Sequence, residues 1–114
     1  MHSGNLSIIL HTHLPWVLNH GTWPHGVDWL TEAIAECYIP LLNVFNELVD
    51  DGILPKITLD ISPVLCEQLA HPKITNIFID YCDSKISAAE EDYINFKNSA
   101  AKVQHFFNIQ RVWM

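Results

Sequence analysis

Two strand-forming segments alternate with two helix-forming segments in the first seventy residues, and this order limits the folds that the chain can adopt. The apolar run at 8–10 and the β-branched run KITLDI at 56–61 each have the length of a strand. Between them, apolar residues recur every three or four positions from Leu30 to Leu48, which predicts an amphipathic helix. Two strands joined by a crossover helix form a right-handed parallel pair. The predicted fold class is therefore α/β.

Local signals predict where the helices begin and end. Asp28 is the expected N-cap of a helix that starts at Trp29, and Gly52 is the expected left-handed residue at its end. Pro40 has no N–H, so it is expected to kink or split this helix. The dipeptide SP at 62–63 predicts the N-cap and first residue of a second, short helix.

The rest of the chain predicts a long helical segment that packs on the domain. Two strands alone do not make a stable sheet, so the chain is expected to be the opening section of a larger α/β domain. It would then be a truncated product, a fragment, or a piece whose sheet another chain completes. Apolar residues of the helical segment recur at alternating spacings of three and four: Ile79, Cys82, Ile86, Ala89, Tyr93, Phe96, Ala100, Val103 and Phe107.

Charge, hydropathy and cysteine content limit which partners the protein can bind and in which compartment we expect it. A net charge of −7 with only six Lys and Arg argues against nucleic acids and anionic membranes as partners. The N-terminus lacks the positive region of a signal peptide, and no apolar stretch is long enough to span a membrane, which predicts a cytoplasmic protein. Cys37, Cys66 and Cys82 lie in apolar helical contexts and are predicted to be reduced, buried thiols.

The stretch IILHTHLP at 8–15 places two histidines at the end of the first strand. Side chains alternate along a strand, so His11 and His13 are expected to point to the same side. The apolar run before them predicts a strand buried on both faces, and Pro15 ends its pairing. Barrel and open α/β enzymes place reacting groups at such strand ends. From the residues alone, two loop histidines without chemistry remain an alternative.

Several motifs in order resemble one enzyme family. The segments HTHLPWVLNHGTWPHGVDWLTEAIAECYIPLL and LDISPVLCEQLAHP resemble the N-terminus of glycoside hydrolase family 57, in particular its α-1,4-glucan branching enzymes. The resemblance implies a (β/α)7 barrel and a retaining mechanism, which uses two carboxyl groups about 5 Å apart. Residues 1–114 would then be the N-terminal portion of the catalytic barrel, incomplete without further strands.

The resemblance assigns sugar-binding residues. His11 is expected to hydrogen-bond sugar hydroxyls beside the scissile bond, and His13 to support it. Trp29 matches a Trp that stacks on glucose, and Trp23 in the same loop is a second candidate. The residue type fits independently, because an indole offers a flat apolar face to the C–H side of a pyranose. No cofactor and no metal ligand is predicted.

No catalytic residue is assigned within the chain. The family's Glu nucleophile and Asp acid/base lie on later strands and match no residue here. Asp60 has no partner that the sequence identifies, and the other acidic candidates lie in predicted helices: Glu32, Glu36 and Glu67.

The predicted function is the N-terminal part of an α-glucan-acting glycoside hydrolase or transglycosylase of the branching-enzyme kind. Its expected partners are an α-glucan and the missing C-terminal part of the barrel. Two alternatives stay open. One is a catalytically inactive remnant or glucan-binding fragment. The other is a metal-dependent hydrolase in which the neutral imidazoles of the HxH pair bind zinc.

Overall fold

A computed structural model describes residues 4–98 of the chain. It divides into two compact units, with the division between Ile77 and Phe78 inside the last helix. In chain order the elements are β1 (Ile8–Thr12), α1 (Val27–Ala33), a π-helical turn (Ile34–Tyr38), α2 (Ile39–Asp50), β2 (Ile57–Ile61), α3 (Pro63–Leu69) and α4 (Ile74–Asn98).

The two strands form a parallel pair, which confirms the predicted α/β class. The register runs from Ile8 opposite Ile57 to Thr12 opposite Ile61. The prediction of a first strand buried on both faces is wrong for residues 4–98, since Ile8 is 45% exposed and Ile9 is 64% exposed. The physical reason is that a two-stranded sheet has too few neighbours to cover its own apolar side chains.

The first helix begins two residues earlier than predicted. Its N-cap is Gly26, and Asp28 lies in the first turn, where a negative charge stabilises the helix dipole. The loop before the helix closes on it, because the Val27 N–H donates to the Gly21 carbonyl at 2.9 Å. A Cβ at position 26 would lie 2.2 Å from that carbonyl oxygen, so only glycine fits there.

Pro40 splits the crossover helix, as predicted. The π-helical turn precedes it, and the Ile39 N–H donates to the carbonyl of Ile34, five residues back. At the other end of α2, Gly52 adopts a φ of +76° and its N–H donates to the Val49 carbonyl. The Ile53 N–H bonds to the carbonyl of Leu48 at 2.8 Å, which completes a Schellman motif.

The core of the first unit lies between the loop after β1, α1 and α3. Val17, Leu30 and Leu65 are buried and in mutual contact. The predicted cap of α3 is confirmed, because the Ser62 hydroxyl accepts the Leu65 N–H at 3.4 Å. Partly buried apolar side chains surround this core: Leu14, Leu18, Ile34, Tyr38, Leu69 and Ile74.

Within the described residues, the second unit is the part of α4 from Phe78 to Asn98. The predicted long helix is confirmed as far as Asn98. Along its apolar stripe, Ile79 and Ile86 are 50% and 57% exposed. The three last members of the stripe lie outside the described residues: Ala100, Val103 and Phe107.

The three thiols are free, but the prediction that they are buried is wrong. Cys37 and Cys66 are exposed and Cys82 is half-buried. On α3 the buried positions are Leu65 and Gln68, three residues apart, so the side chain at 66 points away from that face. None of the helices found in residues 4–98 has the length and apolar character needed to cross a membrane.

Candidate functional site

The two faces of the strand pair have different surroundings. Leu10 and Thr12 share one face with Leu59 and Ile61, because register partners and alternate residues point the same way. The Thr12 hydroxyl lies 2.7 Å from the hydroxyl of Tyr38 in the π-helical turn. This face is therefore the one that the crossover helix covers.

A cavity of about 490 Å³ lies between the strand pair, the crossover helix and α3. Its walls are mainly aliphatic and aromatic, which suits apolar side chains better than sugar hydroxyls. The lining residues are Ile9, Leu10, His11, Thr12, Cys37, Tyr38, Leu41, Leu42, Phe45, Leu59, Ile61, Leu65 and Leu69.

The opposite, open face carries a histidine–aspartate pair at the carboxyl ends of both strands. His11 and Asp60 are register partners, and the His11 Nδ1 lies 2.6 Å from the Asp60 Oδ2. The exposed fractions of the two side chains are 63% and 59%. Asp60 therefore has a side-chain partner, His11, that the sequence did not identify.

His13 lies just after the end of β1 and is exposed. Within residues 4–98 no hydrogen bond to its side chain is found. That its ring points to the same side as the ring of His11 stays a prediction.

The two candidate tryptophans differ in their surroundings. Trp29 is on α1, 39% exposed, and its ring contacts the ring of His25 edge-on with centroids 4.7 Å apart. Trp23 is 80% exposed in the loop before that helix. Both indoles are thus accessible to a ligand. In the part of the chain that the structure describes, no hydrogen bond or ring contact joins either tryptophan to His11.

Gln68 is a residue whose role the sequence did not reveal. Its side chain is fully buried; its Oε1 accepts the Val17 N–H at 2.7 Å, and its Nε2 donates to the Pro15 carbonyl at 3.0 Å. The amide thereby ties the segment that follows the two histidines to α3. The sequence offered one signal for this role. Gln68 is a polar residue three positions after Leu65, so it lies on the apolar face of the predicted helix.

The structure contains no candidate metal centre among residues 4–98. No group of three or more His, Cys, Asp or Glu side chains there is arranged to hold a metal ion. The metal-hydrolase alternative thus has no ligand set in this part of the chain.

Comparison with known proteins adds evidence independent of this geometry. The chain is 42% identical over 108 residues to a 1,4-alpha-glucan branching enzyme of Thermococcus kodakarensis. Over this stretch the chain is similar to 1,4-alpha-glucan branching enzymes. Two probable 1,4-alpha-glucan branching enzymes from Mycobacterium tuberculosis strains are each 44% identical to this chain over 73 residues. The resemblance to branching enzymes predicted from the motifs is thereby confirmed.

These alignments cover most of this chain but only a small part of each relative. The first alignment covers 95% of this chain and 16% of the Thermococcus protein. The other two cover 64% of this chain and 14% of each Mycobacterium protein. The chain therefore spans only about a sixth of the length of these relatives. No protein-family model matches the chain.

Proposed function

We propose that this chain is the N-terminal portion of a glycoside hydrolase family 57 catalytic barrel that acts on α-glucans as a branching enzyme. The observation that carries the proposal is the 42% identity to a branching enzyme over 95% of the chain. The location of His11 and Asp60 supports it. Helices surround a (β/α) barrel on the outside, so the open face of the strand pair would be the barrel interior. Barrels bind substrates at the carboxyl ends of their strands, which is where this pair lies.

Four residues would form part of the sugar-binding wall. His11 would hydrogen-bond glucose hydroxyls, and His13 would support it from the next position on the same side. Trp29 would stack on a pyranose ring with its accessible indole, and Trp23 would offer a second platform. The exposed fractions of the two tryptophans, 39% for Trp29 and 80% for Trp23, are compatible with ligand contact.

The chemistry would be retaining transfer. A nucleophilic carboxylate takes the glucan as a covalent glycosyl intermediate, and a second carboxyl group first protonates the leaving oxygen and then deprotonates the acceptor. In branching, the acceptor is a sugar 6-hydroxyl. We assign neither carboxyl group to residues 1–114, so catalysis requires polypeptide beyond this segment. The alternative of a glucan-binding fragment without activity of its own predicts sugar binding by these 114 residues with no branching of amylose.

The missing part of the barrel would also be the structural partner of this segment, in a cytoplasmic protein. Large apolar side chains on both faces of the strand pair remain partly exposed to solvent, including Ile9 at 64% and Leu59 at 49%. Covering such side chains contributes about 25 cal/mol per Å² of apolar area. Further strands and helices would gain this free energy by packing on them.

Titration with maltoheptaose tests the glucan-binding wall. We expect saturable quenching or shift of tryptophan fluorescence, and about fivefold weaker binding for Trp29→Ala, because loss of one stacking platform costs about 1 kcal/mol. Trp16→Ala is the matched control, since Trp16 has the same 39% exposure and no assigned role. Equal losses for Trp16→Ala and Trp29→Ala, or no saturable binding by the unmodified chain, would contradict the proposal.

A further inference from the structure

The contact between His11 and Asp60 determines which nitrogen of the imidazole carries a proton. When the Asp60 carboxyl group is ionised it can only accept hydrogen bonds, and the Nδ1 that lies 2.6 Å from its Oδ2 is then the donor. In the neutral ring the other nitrogen, Nε2, is then an acceptor with its lone pair directed away from Asp60. The partner of a histidine thus fixes both its tautomer and the orientation of its ring.

The pair is poorly placed to serve stability. Both side chains are about three-fifths exposed, at 63% and 59%. Exposed ion pairs contribute little to folding because water and salt screen them. The His11–Asp60 pair is distinguished instead by its location. It joins the carboxyl ends of two parallel strands, on the face that the crossover helix leaves open.

We infer that Asp60 is a positioning residue that holds His11 as its Nδ1–H tautomer, so that Nε2 accepts a hydrogen bond from an α-glucan hydroxyl. The inference rests on the proposed function for the ligand, and on the geometry alone for the tautomer. A bound hydroxyl donates its proton to Nε2, and its oxygen remains free to accept a bond elsewhere. No bond is made or broken in this step.

Nitrogen NMR of the full 114-residue chain, labelled at the histidine rings, tests the first half of the inference. At a pH where the ring is neutral, we expect a protonated-type signal for Nδ1 of His11 and an unprotonated-type signal for Nε2. Asp60→Ala is expected to replace this pattern with averaged signals from both tautomers. Thr58→Ala lies on the same face of the same strand and is expected to keep the unmodified pattern.

Binding of maltoheptaose tests the second half. We expect Asp60→Ala to weaken binding about tenfold, with a urea midpoint unchanged from that of the unmodified chain, and Asp60→Glu to restore part of the affinity. Thr58→Ala is expected to bind normally. A merely structural role would instead lower the midpoint and leave the affinity of the folded fraction unchanged.

The outcomes separate the inference from the proposed function. A His11 ring protonated at Nε2 in the unmodified chain overturns the inference, and so does normal maltoheptaose binding by Asp60→Ala. If the tautomer is as expected but the unmodified chain binds no maltoheptaose, the glucan-binding proposal fails, and with it the ligand assigned to Nε2. Positioning of His11 by Asp60 is then upheld as a property of the strand pair.

Discussion

Replacing Gln68 with alanine removes both hydrogen bonds that hold the segment after β1 against α3. Val17 is only 2% exposed, so its N–H would stay buried without a partner, which costs about 1–3 kcal/mol. The Pro15 carbonyl belongs to an exposed residue and can bond to water instead, so its loss costs little. The fully buried amide also leaves a cavity behind. Together these effects lower the free energy of unfolding by about 2–4 kcal/mol.

Urea unfolding measures this loss. With a slope of about 2 kcal/mol/M, Gln68→Ala is expected to lower the urea midpoint by about 1–2 M. Amide hydrogen exchange gives a site-specific reading, because the Val17 N–H is bonded directly to Gln68 and should lose its protection. Glu67→Ala, an exposed neighbour on the same helix, is the control and should stay within about 0.5 kcal/mol. An unchanged midpoint together with unchanged Val17 exchange in Gln68→Ala would refute this reasoning.

Two further sets of substitutions test the loop before α1 and the contact between the first strand and the crossover helix. Gly26→Ala is expected to destabilise the first unit by at least about 2 kcal/mol in urea unfolding, because its Cβ would overlap the Gly21 carbonyl, whereas Gly4→Ala meets nothing within 4 Å and should be neutral. Tyr38→Phe and Thr12→Val should each cost about 1 kcal/mol by losing the same hydroxyl contact, and the double variant should cost no more than either alone. Equal stability of the two glycine variants, or additive losses in the hydroxyl pair, would contradict these expectations.

Features set by local chemistry were predictable from the sequence. Pro40 splits the crossover helix because its missing N–H acts wherever the fold places it, and Gly52 ends that helix because few other residues tolerate positive φ. The parallel pairing followed from the order of the elements. The start of α1 was misplaced for a non-local reason: Gly26 is required by the backbone of Gly21, five residues earlier, which no capping preference encodes.

The contacts that define the candidate site could not be predicted from the sequence in the same way. His11 and Asp60 are 49 residues apart in the sequence, and only the strand register brings their side chains together. Gln68 reaches Val17 across 51 residues by the same kind of long-range packing. Periodicity indicates which side of a helix is apolar but not what covers it, and this is why Cys37 and Cys66 are exposed although they were predicted to be buried.

The most direct measurement of the sugar-binding wall is the response of the His11 ring to maltoheptaose in the 114-residue chain. We predict saturable shifts in the ring signals of His11, with no change at His71, which has no assigned role and whose Nδ1 accepts the Lys73 N–H. Shifts of equal size at His11 and His71, or none at either at saturating sugar, would contradict the assignment of the first strand's open face to an α-glucan.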